Sequence, residues 1–325
     1  MRAIQIHECG GTEKLRLEEV PKPARKPSQA LIKSSSIGVN PVDLIVRSGF
    51  YKPTHFPKIL GGDVAGVVEE GDDAGKFKKG DKVLALTPGF FNNTPDGCYA
   101  EFVAAEADWL ARVPDSLPLD EAAGLPLVAL TAWQALQQAA PAPSKRALIT
   151  AAAGGVGHVA VQLAKALGLY VVGIAGPNNT AWVKESLGAD EVVDYTSQDV
   201  AELYAAPDKQ FDITIDSMGT RSELLQKLLS VTKPSGHLSH IMNAGSDNDI
   251  IEGAKKAHEE GKGPGVGTIL VTPNGGQLQE IADLVAAGKV KLTVAAKHPL
   301  TAAGAAQAHD AVATGHTRGK IVLLP

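Results

Sequence analysis

The first third of the chain consists of short apolar runs that glycine, proline and charged residues separate at short intervals. Runs of this length, with apolar and polar positions alternating, predict β-strands rather than helices. Many short strands joined by polar turns are typical of a small, partly open β-barrel. The predicted strands lie at residues 2–6, 30–35, 63–70, 82–85 and 99–104.

The pattern changes after about residue 119, where strand-like and helix-like periodicities alternate. Residues 156–167 place apolar side chains on one face of an amphipathic helix, and Gly168 follows as a C-terminal cap. Alternation at this pitch predicts a doubly wound parallel sheet with helices on both faces. The other predicted helices are 121–127, 129–139, 180–187, 223–230 and 275–287, and the strands are 146–151, 170–174, 191–195, 211–216, 237–242, 267–271 and 320–324.

The change of periodicity also predicts how the chain divides. A chain of 325 residues exceeds the usual single-domain size, which favours two domains. The strand at 320–324 is expected to return to the first domain. The predicted domains are therefore a β-rich one of residues 1–123 and 272–325, and an α/β one of residues 124–271.

Composition narrows the classes of function. The chain carries 31 basic and 36 acidic residues, a net charge of −5, with no long block of either sign. A nucleic-acid surface usually shows a clustered basic excess, so no nucleic-acid partner is predicted. No run of eighteen apolar residues occurs, which argues against a transmembrane segment. The two cysteines, Cys9 and Cys98, have no locally spaced partner, which favours a reducing compartment.

A glycine-rich turn lies between the strand at 146–151 and the helix that follows. Ala152, Gly154 and Gly157 have the spacing small–x–Gly–x–x–Gly. Missing side chains let the backbone turn sharply and let a pyrophosphate approach the N–H groups of the helix N-terminus. A tight structural turn is the alternative for an isolated glycine cluster. In its strand–turn–helix context, the turn predicts a Rossmann dinucleotide site at Ala153, Gly154, Gly155, Val156 and Gly157.

The end of the next predicted strand bears on the choice of nicotinamide cofactor. An NAD-preferring site places an acidic residue about 20 positions on, to bind the ribose 2′-hydroxyl, but Ala175 lies there. Because no carboxylate repels a 2′-phosphate, NADPH is the predicted cofactor. Asn178, Asn179 and Thr180 are predicted to donate to that phosphate, with Gly176 beside them and Lys184 one helical turn past Thr180. The alternative is a solvated turn with an asparagine N-cap.

Several motifs that cover nearly the whole chain point to one family. They are Ile37-Gly38-Val39-Asn40-Pro41-Val42-Asp43 with Arg47-Ser48-Gly49, Gly62-Asp63-Val64-Ala65-Gly66-Val67-Val68, Leu130-Thr131-Ala132, the glycine-rich turn, and Leu187-Gly188-Ala189-Asp190. With them the chain resembles the zinc-free quinone oxidoreductases of the medium-chain dehydrogenase/reductase superfamily. The resemblance implies an α/β protein with a GroES-like catalytic domain, a Rossmann cofactor domain and an active site in the cleft between them.

The resemblance also implies roles for individual residues. Asn40 and Tyr51 would line the substrate side of the cleft as the catalytic pair. The cofactor-binding residues that it implies are Thr131 near the nicotinamide ribose, Tyr195 near the adenosine 2′-phosphate, Ser217 in a loop that touches the ribose, and His240 and Ile241, after which the chain would face the nicotinamide.

Each of these residues has a structural alternative. Asn40 is also a favoured helix-cap residue, and Tyr51 is also explained as a packed aromatic with a solvated hydroxyl. Asp43 and Arg47, four residues apart, suit a structural pair better than catalysis. The sequence departs from the family because relatives usually carry Lys or Arg in the loop after the second Rossmann strand. NADPH preference is then weaker than usual, or Lys184 substitutes.

Metal chemistry is not expected. Zinc-dependent relatives carry Gly-His-Glu where this chain has Gly61-Gly62-Asp63, and a catalytic zinc needs three protein ligands. Without a Lewis acid, electrophilic acceptors are better substrates than simple alcohols. The predicted function is NADPH-dependent reduction of quinones or α,β-unsaturated carbonyls by hydride transfer. The alternative is an NADPH-binding protein with little turnover, in a structural or sensing role.

The remaining expectations concern partners and compartment. The predicted partner is a small-molecule substrate, and the resemblance implies a homodimer. The N-terminus enters a predicted strand directly and lacks the features of a signal or transit peptide. A cytoplasmic protein is expected, with import into chloroplasts without a cleavable peptide as the alternative that the resemblance implies.

Overall fold

The computed structural model describes residues 1–90, 97–219, 222–241 and 248–325. The chain forms two compact units. The predicted domain boundaries stay a prediction, because compactness alone does not define a folding domain. Unit 1 comprises Met1–Leu130, Thr272–Gly288 and Leu292–Pro325, and unit 2 comprises Thr131–Val271 and Lys289–Lys291.

The elements alternate in the order that the two periodicities predict. The strands are β1 (Arg2–Ile6), β2 (Arg16–Glu19), β3 (Gln29–Val39), β4 (Lys58–Ile59), β5 (Asp63–Glu70), β6 (Lys82–Leu86), β7 (Phe102–Glu106), β8 (Leu110–Arg112), β9 (Arg146–Ile149), β10 (Tyr170–Ala175), β11 (Glu191–Asp194), β12 (Phe211–Asp216), β13 (Thr232–Ile241), β14 (Gly265–Ile269), β15 (Val294–Pro299) and β16 (Lys320–Leu324). The α-helices are α1 (Pro41–Ser48), α2 (Pro126–Gln138), α3 (Gly155–Ala166), α4 (Pro177–Glu185), α5 (Val200–Leu203), α6 (Ser222–Val231), α7 (Asn248–Glu259), α8 (Gly275–Ala286) and α9 (Ala302–Ala313).

Unit 1 is built on antiparallel pairing around the long strand β3. This strand pairs with β5, β7 and β16, and β15 extends the sheet beyond β16. A second, smaller sheet has the order β2-β1-β4. Alternate residues of these strands, such as Ile32, Val64 and Leu323, bury their side chains in one apolar core. The strand β16 therefore does return to the first unit, as the sequence predicts.

Unit 2 contains a parallel sheet in the order β11-β10-β9-β12-β13-β14. This is the strand order of a doubly wound Rossmann fold, which confirms the predicted α/β class. The order reverses between β9 and β12. Ligands of such sheets bind outside the carboxyl ends of the strands at this switch point.

The structure corrects several predicted bounds. The helix predicted at 180–187 is α4, which begins at Pro177, because proline at the first helical position has a preset φ and needs no N–H partner. The helix predicted at 121–127 is instead a 3₁₀ turn at Ala122–Gly124. The pattern also missed α7 and α9. Met242, the last residue of the strand predicted at 237–242, lies outside the described residues.

In the part of the chain that the structure describes, none of the helices is long and apolar enough to cross a bilayer.

Candidate functional site

The glycine-rich turn joins β9 to α3 at the carboxyl edge of the parallel sheet. Gly154 is the N-cap of α3, and Ala151 adopts a positive φ of 45°. A methyl group at Gly157 would overlap the carbonyl oxygen of Ala151, so only glycine lets the helix lie this close to the turn. Gly155 and Val156 form the first turn of the helix, where backbone N–H groups lack intrahelical acceptors. This cradle suits a pyrophosphate.

The carboxyl ends of β10 and β11 form a second part of the same edge. Ala175 ends β10 and pairs in register with Asp194, so Tyr195 lies next to Gly176. A Cβ atom at Gly176 would lie 3.3 Å from the Tyr195 hydroxyl, and the Tyr195 side chain is 59% exposed. Gly176 is also the N-cap of α4. The structure therefore brings together two residues that the resemblance and the loop sequence predicted separately.

The predicted phosphate contacts on α4 have different positions. Asn178 and Asn179 lie in the first helical turn, and Gly176 is the N-cap, so the alternative of an asparagine N-cap is wrong. Lys184 lies in the last turn. At 1.5 Å per residue it is roughly 10 Å along the axis from the first turn. Asn178 and Asn179 are thus better placed than Lys184 for a ligand at the helix N-terminus.

A compact set of polar side chains, here called the Asp216 cluster, occupies the switch point and consists of Thr150, Asp216, Ser217 and His240. The Thr150 hydroxyl donates to Asp216 Oδ1 (3.2 Å) and accepts from the backbone N–H of Ser217 (2.9 Å). The Ser217 hydroxyl donates to the Thr150 carbonyl oxygen (2.8 Å). His240 Nδ1 lies 2.8 Å from Asp216 Oδ2, and both side chains are buried. Two residues predicted from the resemblance, Ser217 and His240, therefore meet through Thr150 and Asp216.

The remaining predicted cofactor residues lie on regular elements. Thr131 is buried within α2, and Ala153 is buried in the glycine-rich turn. Ile241 is the last residue of β13 and is partly exposed. The chain that follows Ile241, expected to face the nicotinamide, lies outside the described residues until Asn248.

Asn40 belongs to a second buried polar set, here called the Lys320 network, which consists of Asn40, Asp43, Asp63 and Lys320. The Asn40 Nδ2 donates to Asp63 Oδ2 (2.8 Å), and its Oδ1 accepts from Lys320 Nζ (2.5 Å). Lys320 also donates to the Val39 carbonyl oxygen (2.6 Å). Asn40 is the N-cap of α1, and its backbone N–H donates to Asp43 Oδ2 (2.9 Å). The cap alternative for Asn40 is thus confirmed, and its role toward substrate stays a prediction.

Burial dominates the electrostatics of the Lys320 network. It raises the pKa of Asp43 to about 7, although the Asn40 N–H and the Tyr99 hydroxyl oppose the shift. It raises the pKa of Asp63 to about 6 against the opposing charge of Lys320. The pKa of Lys320 is in turn lowered by burial, with Asp63 and Asp43 opposing. Asp63 Oδ1 also accepts from the N–H of Leu127, at the N-terminus of α2.

Asp43 and Arg47 do not form the direct pair that their spacing suggested. The Tyr99 hydroxyl donates to Asp43 Oδ2 (3.0 Å) and lies 3.0 Å from His309 Nε2. Arg47 contacts the other ring nitrogen of His309 at 3.2 Å. Burial, followed by the charge of Arg47, lowers the pKa of His309 to about 3. The link between the two α1 residues therefore passes through a neutral histidine and a tyrosine from other parts of unit 1.

Tyr51 lies just after α1 and differs from Asn40 in exposure. Its side chain is 39% exposed and makes an edge-to-face contact with Phe50, with 5.7 Å between ring centroids. Tyr51 is thus one of the exposed large side chains of unit 1. This is compatible with the substrate role and with the alternative of a solvated aromatic.

Sequence analysis missed several residues of these clusters. Lys320, Tyr99, His309 and Thr150 did not stand out, since their partners are 56 to 280 positions away for the first three and 66 for Thr150. Within residues 1–90, 97–219, 222–241 and 248–325, there is no group of three or more His, Cys, Asp or Glu side chains that suits a metal ion.

Two family models match the chain. The model for the alcohol dehydrogenase GroES-like domain matches residues 26–115, and the model for zinc-binding dehydrogenase matches residues 187–323. The presence of a GroES-like domain is thereby confirmed, and its predicted bounds stay a prediction. Together with the Rossmann strand order, these matches define a medium-chain dehydrogenase/reductase, a class of oxidoreductase enzymes.

Individual relatives narrow the class. The chloroplast envelope quinone oxidoreductase homolog of Arabidopsis thaliana is 36% identical over 337 residues, which cover 100% of this chain and 98% of the relative. The chloroplastic NADPH-dependent alkenal/one oxidoreductase of the same plant is 33% identical over 332 residues, with coverage of 100% and 80%. The chain therefore belongs to the quinone oxidoreductase family.

Solved structures agree with this placement. The quinone oxidoreductase from Coxiella burnetii has a TM-score of 0.87 and 32% identity, and the match covers 100% of this chain and 99% of that one. The Escherichia coli quinone oxidoreductase complexed with NADPH has a TM-score of 0.82 and 26% identity, with 100% of both chains covered.

Proposed function

We propose that this enzyme reduces quinones or α,β-unsaturated carbonyls with NADPH and without zinc. The observation that carries the proposal is the carboxyl edge of the parallel sheet, where the glycine-rich cradle, the Gly176–Tyr195 contact and the Asp216 cluster follow one another. When bound, NADPH supplies a hydride from C4 of its nicotinamide. The relatives named for quinone and alkenal/one reduction support an enzyme over a binding protein with little turnover.

The chain's own residues divide the binding of NADPH among them. The first turn of α3 and the glycines that precede it hold the pyrophosphate. Gly176, the first turn of α4 with Asn178 and Asn179, and the Tyr195 hydroxyl hold the 2′-phosphate. Ala175 leaves that place without the carboxylate that would favour NAD. Lys184 contributes only long-range attraction from the far end of α4.

Side-by-side fluorescence titrations with NADPH and NADH test the choice of cofactor. The wild-type protein should bind NADPH more tightly. Ala175→Asp should shift the preference toward NADH, because a carboxylate accepts from the ribose hydroxyl and repels the phosphate. Ala181→Asp, on the exposed part of α4, is the control and should leave the preference nearly unchanged. Equal or tighter NADH binding by the wild-type protein would contradict the proposal.

On the substrate side, we assign the direct donor role to Tyr51 and a positioning role to Asn40. Reduction of a quinone or enone builds negative charge on the carbonyl oxygen, and a neutral O–H donor stabilises that charge. Tyr51 is an exposed residue, whereas both polar ends of the Asn40 amide are bonded to Lys320 and Asp63. Asn40 caps α1, and Tyr51 follows the end of that helix.

Tyrosine variants test this assignment with steady-state kinetics on a panel of quinones, enals and simple ketones. Tyr51→Phe removes one oxyanion donor and should lower kcat by up to about a hundredfold, while Kd for NADPH stays unchanged. Tyr195→Phe is the same chemical change in unit 2. It should raise Kd for NADPH and leave kcat unchanged. Simple ketones should be poor substrates of the wild-type enzyme. Full turnover by Tyr51→Phe on every accepted substrate would refute its role.

The absence of zinc, the dimer and the compartment are further parts of the proposal. Gly61-Gly62-Asp63 lacks the histidine of zinc-dependent relatives, and Asp63 is already bonded to Asn40 and to the N–H of Leu127. Activity should survive dialysis against a chelator, and activity that was lost there and restored by zinc would contradict the proposal. A homodimer and a cytoplasmic or chloroplast location stay predictions; relatives of the chain are named chloroplastic.

A further inference from the structure

His240 and Asp216 form a buried pair at the switch point of the parallel sheet. The two residues are register partners on β12 and β13, so their side chains lie on the same face at the carboxyl ends of their strands. His240 Nδ1 lies 2.8 Å from Asp216 Oδ2, with the side chains 5% and 2% exposed. Thr150, which follows β9, contacts the same aspartate from the other side of the switch point.

The hydrogen bonds of Asp216 determine which ring nitrogen of His240 carries the hydrogen. Asp216 Oδ1 accepts from the Thr150 hydroxyl and from the backbone N–H of Met218 (3.0 Å). An ionised carboxylate accepts only, so Oδ2 accepts from Nδ1–H of His240. In the neutral ring the hydrogen then resides on Nδ1, and Nε2 is an acceptor. Asp216, with Thr150 and Met218 bonded to it, thus sets the polarity of His240 Nε2.

We propose that Asp216 is a positioning residue that fixes His240 as a hydrogen-bond acceptor for the nicotinamide half of NADPH. This inference rests on the proposed function. The donor on the cofactor is a ribose hydroxyl or the carboxamide N–H of the nicotinamide, and both present hydrogen to an imidazole nitrogen. The Asp216–His240 pair lies at the switch point, where doubly wound sheets hold their ligands.

Two variants test the pair in different ways: one reverses the position of the ring hydrogen, and the other removes Nε2. In Asp216→Asn, Oδ1 still accepts from Thr150 and Met218, but the amide group now donates to Nδ1. The hydrogen moves to Nε2, which becomes a donor facing a donor. In His240→Asn, the new amide still donates to Asp216, but the Nε2 position is lost. Each variant should raise Kd for NADPH about tenfold, since an acceptor is lost in a buried place.

Fluorescence titration of the full chain with three ligands provides the test. Adenosine 2′,5′-bisphosphate lacks the nicotinamide half and should bind both variants as it binds the wild type. ADP-ribose 2′-phosphate keeps a ribose without nicotinamide. If it shows the tenfold loss, the donor is the ribose hydroxyl, and if only NADPH shows it, the donor is the carboxamide. His237→Asn, on the same strand, is the matched control and should bind all three ligands normally.

The outcomes distinguish this inference from the proposed function. If the wild-type protein fails to bind NADPH, the proposed function fails. If it binds NADPH and His240→Asn retains wild-type affinity, the inference about the pair is overturned while the proposed function survives. A parallel loss of affinity for adenosine 2′,5′-bisphosphate would also overturn the inference, because it would show general damage to the sheet edge. The double variant should be no weaker than either single variant.

Discussion

The Lys320 network of unit 1 and the Asp216 cluster of unit 2 are both buried, and both are organised around aspartates, yet their surroundings differ. In the Lys320 network, the polar groups of Asn40 and Lys320 meet other groups of the same unit. Burial shifts the pKa values of its three charged groups. The Asp216 cluster lies at the carboxyl edge of a parallel sheet, where we propose that the second ring nitrogen of His240 contacts a ligand.

The difference shows that buried aspartates can serve either stability or ligand binding. A buried charge surrounded by internal partners contributes to stability or costs it, depending on whether the partners stay in place. A buried pair at a ligand-binding edge determines whether its contact with the ligand is a donor or an acceptor. We expect it to contribute less to the stability of the fold. Variants in the first region should therefore change the free energy of unfolding, and variants in the second should change ligand affinity.

The largest expected effect is that of Lys320→Met. Removing the ammonium leaves Asp63 without its nearby cation, and leaves Val39 and Asn40 without a donor. The free energy of unfolding, measured with urea, should fall by about 3–5 kcal/mol. Lys297→Met on the neighbouring strand β15 is the control. Its exposed ion pairs with Asp120 and Glu121 should contribute less than about 1 kcal/mol. Equal losses in the two variants would erase the contrast.

The second effect is an unusual pH dependence of stability. The pKa of Asp43 is raised in the folded protein, so the folded state holds this proton more tightly than the unfolded state. The contribution of Asp43 to stability therefore falls as pH rises from about 4 to about 7. The free energy of unfolding, measured with urea, should fall between pH 5 and pH 7.5 in the wild-type protein. In Asp43→Asn this fall should be smaller by about 2 kcal/mol.

A surface carboxylate provides the contrast for that experiment. Lys227 lowers the pKa of Asp199, so its contribution is present at neutral pH and is lost in acid. Asp199→Asn should consequently leave the difference between pH 5 and pH 7.5 unchanged. A pH profile of Asp43→Asn that runs parallel to wild type would refute the buried-carboxylate explanation.

A smaller change in stability, with a clear change in binding, is expected for Gly157→Ala. The added methyl group overlaps the Ala151 carbonyl oxygen, so the turn must shift at a cost of about 1–3 kcal/mol. Binding of NADPH should weaken together with it. Gly253→Ala, in an open position on α7, should instead stabilise the protein slightly. Unimpaired NADPH binding by Gly157→Ala would contradict the role of the glycine-rich turn in binding NADPH.

The smallest effect is expected for Tyr195→Phe. Loss of one exposed neutral donor should raise Kd for NADPH about threefold and leave Kd for NADH unchanged. Stability should not change, since the side chain is mostly exposed. If NADH binding weakened as much as NADPH binding, the hydroxyl would not be reading the 2′-phosphate.

The sequence predicts the strands better than the contacts between them. Strands β5, β12 and β16 have their predicted bounds, because each has a clear apolar or alternating pattern. The alanine-rich α9 lacks a strong apolar stripe and escaped notice, although Thr301 caps it.

The site residues show the same limit. The glycine spacing found the cradle because that chemistry is local in the chain. The bond between Lys320 and Asn40 spans 280 positions and depends on the register of β16 against β3. Such a pairing is a property of the sheet, and a single sequence has no periodicity that reports it.

The discontinuity of unit 1 matters for a chain that is made from one end to the other. All six strands of the parallel sheet are synthesised before β15 and β16. During that interval, Asp43 and Asp63 lack the ammonium group of Lys320. We expect the unit with the parallel sheet to fold first, and β16 to complete the core of unit 1 only after that.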